Sequence, residues 1–176
     1  MGVNRYIIDE LGQTSTGARV YMIKGVNLDD ILESRFDLSS ELNMKINELK
    51  LRLNKGKNIV YRAFNPLQFK YVISEGTDRT PEYISQQDPY KSDTIYAGSL
   101  EKAMEHAREP FKERGLACLS LYDKDKLEEV DFYAYKPKTS FKDALLGVIC
   151  LSELYLSDIY KSLLEFDLLS SRGKYR

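Results

Sequence analysis

Arg62 is the residue whose type and surroundings bear most directly on chemistry. It lies in a run with strand character, and its neighbours Val60, Tyr61, Ala63 and Phe64 would suit burial on either face. A buried guanidinium needs an anionic partner because removing it from water is costly. That partner is either an internal carboxylate, which is the commoner arrangement, or a phosphate or carboxylate of a ligand held by the planar donor fork.

Tyr96 is a second candidate, because it belongs to a short strand pattern just ahead of Ser99, the predicted N-cap of a helix. Amides at a helix N-terminus favour anions, and a tyrosine ring can stack on a planar heterocycle. In a chain with thirteen tyrosines, packing in a sheet is the simpler interpretation of any one of them. Taken alone, Tyr96 is therefore a weak indication of a ligand site.

Two adjacent carboxylates, Glu128 and Glu129, open a later strand pattern. Side chains alternate between the two faces of a strand, so only one of the pair can face a given pocket. Each of them taken singly is best interpreted as part of a solvated strand end. Which of the two would act in catalysis stays open.

Other reactive side chains are few. His106 is the single histidine and has no cysteine near it in sequence, which disfavours a metal site and excludes any mechanism with two imidazoles. Cys118 and Cys150 lie in apolar runs and are predicted to be small core residues. No phosphate-binding glycine loop, dinucleotide fingerprint, paired-cysteine motif or nucleophile elbow occurs.

The elements that must position these residues begin with two strands and a helix. Strand patterns at 6–8 and 18–23 flank a glycine- and threonine-rich loop. Asp37 is a suitable N-cap for a helix in which apolar residues recur at helical spacing. The residues predicted to form its buried stripe are Leu42, Ile46, Leu49 and Leu53.

From residue 58 onward, the order of strand followed by helix occurs twice. Strand 59–64 leads to a short helix that starts at Asn65-Pro66, and strand 94–98 leads to a helix that starts after Ser99. The polar stretch that begins at Gly76 and runs to residue 93 has no period and is predicted to be a loop. Loops of this length inside a compact domain are more often functional.

The last part of the chain predicts a hairpin and a long helix. An alternating run at 116–122 meets a second run at 130–135 through the charged turn 123–126. Ser140 then begins the longest helical pattern, which reaches about residue 169. The expected fold class is α+β, with a small split mixed or antiparallel sheet, a helical N-terminal segment and a long C-terminal helix packed across the sheet.

Composition sets the outer limits on function. The 176 residues carry 26 Lys and Arg against 27 Asp and Glu, a net charge of −1, so no global field draws the chain to nucleic acid or to anionic lipid. One domain is expected, with 1–57 as its N-terminal strand and helix segment and 58–176 as its core. Neither a signal peptide nor a membrane-spanning run is visible, so a cytoplasmic location is the default expectation.

The stretch from Ile59 to about Tyr135 resembles the core of the ADP-ribosyltransferase superfamily. That core contains three features in chain order: a strand bearing Arg or His, a strand bearing Tyr or Ser before a helix, and a late carboxylate. The matching segments here are Val60-Tyr61-Arg62-Ala63-Phe64, Thr94-Ile95-Tyr96-Ala97-Gly98-Ser99-Leu100-Glu101-Lys102-Ala103 and Leu127-Glu128-Glu129-Val130. The RES-domain toxins, an NAD-using branch, look similar, and Thr77-Asp78-Arg79-Thr80 is loosely similar to their Gly-Arg-Trp-Asn segment.

The resemblance implies an ADP-ribosyltransferase-like fold and an NAD-using activity, either ADP-ribosyl transfer or NAD glycohydrolysis at the nicotinamide–ribose bond. It implies that Arg62 holds the pyrophosphate or ribose side of NAD and that Tyr96 stacks on nicotinamide. Glu128 or Glu129 would then stabilise the oxocarbenium-like ribosyl centre. The residues implied to bind NAD as co-substrate are Arg62, Tyr96, Ser99 and Arg79. The acceptor would be water, a protein group or a nucleic-acid group.

Two other functions stay open from the sequence. A non-catalytic interaction module would bind a protein partner through the leucine-rich C-terminal helix and a tyrosine-rich surface, since aromatic residues are enriched at interfaces. RNA or tRNA end processing by a relative of the same superfamily would need a local basic pocket, which Arg62, Arg79 and Lys91 would form. No membrane partner is expected.

Overall fold

The computed structural model describes residues 6–14, 16–26, 40–54, 56–78, 94–106, 118–151 and 157–165. Its strands form a five-stranded and a three-stranded sheet. The larger sheet contains β1 (Ile7–Gln13), β2 (Arg19–Lys24), β3 (Ile59–Phe64), β5 (Cys118–Asp123) and β8 (Leu145–Cys150). The smaller sheet contains β4 (Ile95–Tyr96), β6 (Leu127–Asp131) and β7 (Ala134–Pro137).

Five helical segments accompany the sheets in the described part of the chain. They are α1 (Ser40–Asn54), α2 (Phe69–Glu75), α3 (100–106), α4 (Phe141–Ala144) and α5 (157–165). The fold is therefore mixed α+β with small mixed and antiparallel sheets, as the sequence predicts. No helix among the described residues is long and apolar enough to cross a membrane.

The larger sheet has the order β1-β2-β8-β5-β3, in which only the β2–β8 pair is parallel. Every residue of β5 is buried, because this central strand is covered on both faces. One face packs against α1, whose predicted stripe is fully or almost fully buried. The residues of that stripe are Leu42, Ile46, Leu49 and Leu53.

The opposite face of the same sheet packs against α2, α4 and α5. Val20, Tyr122 and Val148 from three neighbouring strands share one core cluster with Phe69 of α2 and Leu163 of α5. The alternation of side chains across each strand thus divides the apolar residues between two layers. β3 is an edge strand of the larger sheet, and it lies next to the smaller sheet.

An antiparallel bridge joins the two sheets at that edge. The Tyr61 amide donates to the Gly98 carbonyl at 2.7 Å, and the Gly98 amide donates to the Tyr61 carbonyl at 3.0 Å. Gly98 follows directly after β4 and Ala97, so β4 and the start of α3 lie beside β3. The predicted functional strands are therefore neighbours in space.

Helix boundaries predicted from capping residues are confirmed where they can be compared. The Asn65 side chain accepts a hydrogen bond from the Leu67 amide at 3.0 Å, and Pro66 opens a short 3-10 turn that leads into α2. Gly76 ends α2 in the left-handed conformation. The Ser99 hydroxyl accepts from the Lys102 amide at 3.1 Å and caps α3. Asp37 lies outside the described residues.

The predicted long helix from Ser140 is wrong. Ser140 does cap a helix, but α4 ends at Ala144 and residues 145–150 form β8 between β2 and β5. A strand that is buried on both faces has a continuous apolar sequence, and periodicity alone cannot distinguish such a strand from a buried helix. The interaction-module hypothesis therefore loses the continuous helical face on which it depended.

The predicted hairpin between 116–122 and 130–135 is also wrong. β5 pairs with β3 and β8, whereas β6 pairs with β7 in the other sheet. Asp123 explains the change of direction, because its carboxylate caps the 3-10 turn at 124–126 by accepting from the Asp125 amide at 3.0 Å. Its other oxygen accepts from Lys57 Nζ at 3.1 Å. The chain therefore leaves the larger sheet at this point.

Candidate ligand-binding cleft

A cleft of about 430 Å³ opens where β3 meets the smaller sheet. This volume is within the range of small-molecule sites in proteins. Its strand-derived wall comes from the segments on both sides of the Tyr61–Gly98 bridge. The residues of that wall are Tyr61, Arg62, Ala63, Tyr96, Ala97 and Gly98.

The other wall comes from α3 and from the turn between β6 and β7. Helix α3 contributes Lys102 and His106, which are four residues apart and so share one helix face, with Ala103 between them on the buried side. The turn contributes Phe132 and Tyr133. The cleft therefore combines aromatic rings with the ammonium of Lys102 on this wall and a guanidinium on the other.

Arg62 is held by an internal carboxylate. Its Nε donates to Asp78 Oδ1 at 2.7 Å and its Nη2 donates to Asp78 Oδ2 at 3.2 Å, which is a bidentate arrangement. The side chain of Arg62 is 13% exposed and that of Asp78 is 5% exposed. Of the two partners considered for this guanidinium, the structure thus contains the internal one, with the cleft directly beside it.

Arg62 also contacts β4. Its Nη1 donates to the Tyr96 carbonyl oxygen at 3.0 Å. The structure therefore brings Arg62 and Tyr96 together, and the contact is made through the main chain of Tyr96. The tyrosine side chain is 43% exposed and lies on the cleft wall, where its ring is accessible to a ligand.

A buried polar network lies behind Arg62 and explains its orientation. The Tyr122 hydroxyl donates to the Gly76 carbonyl at 2.6 Å, and the Ser120 hydroxyl donates to the Arg62 carbonyl at 3.3 Å. Burial raises the pKa of Tyr122 well above its ordinary value, so the phenol stays a neutral donor. Together with Asp78, these contacts fix residues 76–78 against the sheet.

The two predicted carboxylates do not reach the cleft. Glu128 and Glu129 are exposed on β6, which β7 separates from β4 in the smaller sheet. Glu128 Oε2 lies 3.8 Å from Lys136 Nζ on β7. Glu129 lies opposite Tyr135, and its charge adds to burial in raising the pKa of that tyrosine. Neither glutamate is among the residues that line the cleft.

The remaining predicted binding residues are Ser99 and Arg79. The Ser99 hydroxyl is used as the cap of α3 and does not line the cleft. Arg79 lies outside the described residues, as do Lys91 and most of the predicted loop that begins at Gly76. The basic pocket of the RNA-processing hypothesis is therefore represented in the described part only by Arg62, whose charge Asp78 offsets.

Four cleft residues were not predicted to act together. Lys102 and His106 carry a signal in their spacing, because residues four apart on a helix lie side by side. Phe132 and Tyr133 carry no such signal. They occupy a two-residue turn, where Asn-Gly or Asp-Gly is typical, whereas the sequence pattern predicts one strand over 130–135. Asp131 pairs with Ala134 instead.

The electrostatics of the cleft depend mainly on Lys102. Its Nζ lies 5.7 Å from the centre of the Tyr133 ring and 3.5 Å from Glu105 Oε2. The pair with Glu105 is exposed and spaced i to i+3, so it holds the ammonium only weakly. Burial raises the pKa of Tyr61 to about 12, which keeps this cleft-lining phenol neutral near physiological pH.

The cysteines are core residues, as predicted. Cys118 and Cys150 lie opposite each other on β5 and β8, are both fully buried and are not joined by a disulfide. Burial raises the pKa of the Cys118 thiol. Within the described residues, no group of three or more His, Cys, Asp or Glu side chains is placed to hold a metal ion.

No protein-family model matches the chain, and neither the curated proteins nor the solved structures include a significant match to it.

Proposed function

We propose that the cleft binds NAD, and that the protein uses NAD as an ADP-ribosyltransferase or an NAD glycohydrolase. The observation that carries the proposal is the meeting of aromatic rings and the ammonium of Lys102 around a cleft of about 430 Å³. NAD offers what such a cleft recognises, namely two planar heterocycles and a pyrophosphate between them.

Lys102 is the residue that we assign to the phosphate. Its ammonium stands at the cleft beside Tyr133, and its exposed partner Glu105 can be displaced at little cost. Arg62 is less suited to this role, because Asp78 and the Tyr96 carbonyl already engage three of its nitrogens. We therefore assign Arg62 to positioning: it holds the two walls of the cleft in their relative places.

Tyr96 is assigned to stacking on a ring of NAD, as the resemblance implies. Its side chain is 43% exposed and borders the cleft. A base stacked on an aromatic side chain typically gains about 1 to 3 kcal/mol. Because Arg62 fixes the Tyr96 main chain, the ring is attached to a rigid strand and not to a loose loop.

Binding without cleavage is the second candidate, and the position of the glutamates favours it. Cleavage of the nicotinamide–ribose bond develops positive charge on the ribosyl group, which a carboxylate would stabilise. Glu128 and Glu129 lie on β6, away from the residues that line the cleft. The catalytic role of either glutamate rests on the resemblance alone.

The binding proposal is tested by calorimetric titration of the full chain with NAD. We expect Lys102→Ala to weaken binding about tenfold, which corresponds to roughly 1.4 kcal/mol, and to reduce the dependence of affinity on salt. Lys45→Ala is the matched control, because Lys45 makes the same i to i+3 pair with Glu48 on α1, away from the cleft. Equal affinities for all three proteins, or no binding of NAD, would refute the assignment.

Tyr96 has its own matched control. Tyr96→Ala should weaken NAD binding, whereas Tyr160→Ala on α5 should not, although the two tyrosines are 43% and 45% exposed. Binding without cleavage is distinguished from catalysis by measuring free nicotinamide after incubation with NAD. Release that is lost in Glu128→Gln or Glu129→Gln supports the enzyme, and tight binding with no release supports a binding protein.

A further inference from the structure

The turn between β6 and β7 has a backbone that its sequence does not favour. Asp131 lies opposite Ala134, so Phe132 and Tyr133 are the two residues of the turn. Tyr133 has φ 58°, and it is the one residue other than glycine with positive φ in the described part of the chain. Turn positions with positive φ are normally Gly, Asn or Asp, because a side chain with a large Cβ substituent is strained there.

The strained turn is fixed in place over the cleft. The Tyr133 carbonyl accepts a hydrogen bond from the Ala97 amide at 3.0 Å, and the Asp131 side chain accepts one from the Phe132 amide at 2.7 Å. The turn is thereby attached to the segment that follows β4. The hydrogen bond to Ala97 holds the main chain of the turn beside the cleft.

Folding does not explain why both turn residues are aromatic. Phe132 is 76% exposed, so its ring gains little from burial. It packs edge to face against the Tyr133 ring, with 4.4 Å between the centroids and 65° between the planes. A strained, exposed aromatic pair at a cleft is the kind of feature that is retained for a ligand.

The Tyr133 ring and the Lys102 stem pack closely against a glycine. A Cβ atom on Gly98 would lie 3.4 Å from Tyr133 Cδ1 and 3.3 Å from Lys102 Cβ. The Tyr133 ring and the Lys102 stem thus stand on either side of a backbone that carries no side chain. The glycine lets both groups stand close to the same stretch of backbone, so a planar group stacked on the turn rings has its anionic substituent near the ammonium of Lys102.

We propose that Phe132 and Tyr133 form an aromatic clamp for the base of a mononucleotide unit, with Lys102 next to them for the phosphate of that unit. This inference rests on the proposed function and narrows it, because it assigns one heterocycle and its attached phosphate to the turn and α3. The recognised class is a base, sugar and phosphate together. Sugar phosphates without a base lack the group that the clamp holds.

The test replaces the aromatic turn with the turn that the backbone prefers, in the double variant Phe132→Asn with Tyr133→Gly. Asn-Gly relieves the positive φ, so the melting temperature should stay equal or rise. Affinity for AMP and for nicotinamide mononucleotide should fall about tenfold or more, because stacking on aromatic side chains is lost. Affinity for ribose 5-phosphate should stay within about twofold of wild type, since Lys102 is untouched.

Each other result has a distinct meaning. Unchanged mononucleotide affinity in the double variant would refute the clamp and leave NAD binding standing. A large loss of melting temperature would also refute it, by showing that the turn is needed for folding. If the wild-type chain binds mononucleotides but not NAD, the proposed function fails. The clamp is then tested by the mononucleotide affinity of the double variant alone. If it binds none of these ligands, both proposals fail.

A single substitution gives an independent measurement. Phe132→Ser removes only a ring that is 76% exposed and leaves Tyr133 in its conformation, so the variant should fold as the wild type does. We expect it to lose several-fold in affinity for both mononucleotides, in the same direction as the double variant. An affinity equal to that of the wild type would remove Phe132 from the clamp.

Discussion

The carboxylate of Asp78 accepts two hydrogen bonds from the guanidinium of Arg62, at 2.7 Å from Nε and 3.2 Å from Nη2. Asp78 follows the end of α2, and Arg62 lies on β3 and also donates to the Tyr96 carbonyl of β4. This pair therefore connects three elements around one wall of the cleft. This contact holds one wall of the cleft in place, and positioning is the role that we propose for it.

Removal of either partner should destabilise the fold. Arg62→Ala and Asp78→Ala each leave a buried charge without its counterion, and breaking a buried pair in this way costs about 3 to 5 kcal/mol. Urea denaturation of the two variants measures the loss. The control is Arg52→Ala, because Arg52 pairs with Glu48 at 3.3 Å on the exposed face of α1, and such pairs are worth about 0.5 kcal/mol or less.

The same variants decide between the two interpretations of Arg62. If Arg62→Ala keeps wild-type stability and loses NAD binding, then the guanidinium is a ligand-binding group and our positioning role is wrong. If Asp78→Ala and Arg62→Ala lose similar amounts of stability, and if each variant loses NAD binding only under conditions in which it unfolds, then the pair is structural.

Local patterns predicted more of this fold than of its long-range pairings. The stripe of α1 and the caps Asn65, Gly76 and Ser99 follow from spacing and hydrogen-bonding chemistry within a few residues. β8 was not predicted, because its apolar run gains its strand identity from β2 and β5, which lie far away in sequence. Tertiary pairing overrode the local helical pattern there.

The site was predicted in the same uneven way. Arg62 and Tyr96 were recognised because each stands out within a strand pattern, and the structure makes them neighbours. Phe132 and Tyr133 were missed because their turn breaks the usual rule for turn residues. Violations of local preference concentrate at functional sites, so a pattern that fails at a cleft is itself informative.

Two glycines with the same backbone should respond differently to alanine. Gly76 and Gly56 have φ of 82° and 85°, so alanine pays the left-handed penalty of about 1 to 2 kcal/mol at both. At Gly76 the new Cβ would also lie 2.3 Å from the Lys142 amide nitrogen, whereas nothing lies within 4 Å at Gly56. Gly76→Ala should therefore lose clearly more stability in urea denaturation. Equal losses would mean that the contact between Gly76 and α4 is not formed.

Alkaline stability should depend on Tyr61. Burial raises its pKa from 10.0 to about 12, so the unfolded chain loses this proton first as the pH rises. The stability that the neutral phenol contributes is then fully present below pH 10 and is lost between pH 10 and about 12. Urea denaturation across this window should show a shallower fall for Tyr61→Phe than for the wild type.

Tyr122 has to be separated from Tyr61 in this measurement, because burial raises its pKa in the same direction. The difference between the wild type and Tyr61→Phe isolates the contribution of Tyr61. Tyr160→Phe is the control, since Tyr160 is exposed on α5, and its fall with pH should match that of the wild type. An unchanged slope in Tyr61→Phe would show that this phenol titrates alike in the folded and unfolded chains.

The close packing around Gly98 should matter for binding more than for folding. Its φ does not lie in the left-handed region, so alanine is compatible with the backbone, and Gly-to-Ala changes at such positions alter stability by about 1 kcal/mol or less. The added methyl would press against the Tyr133 ring and the Lys102 stem, at 3.4 Å and 3.3 Å, and would shift the two side chains that we assign to the base and its phosphate. Gly98→Ala should therefore reduce mononucleotide affinity several-fold with a nearly unchanged melting temperature, and Gly98→Val should reduce it further. Wild-type affinity in both variants would show that ligand binding does not depend on how Tyr133 and Lys102 pack against Gly98.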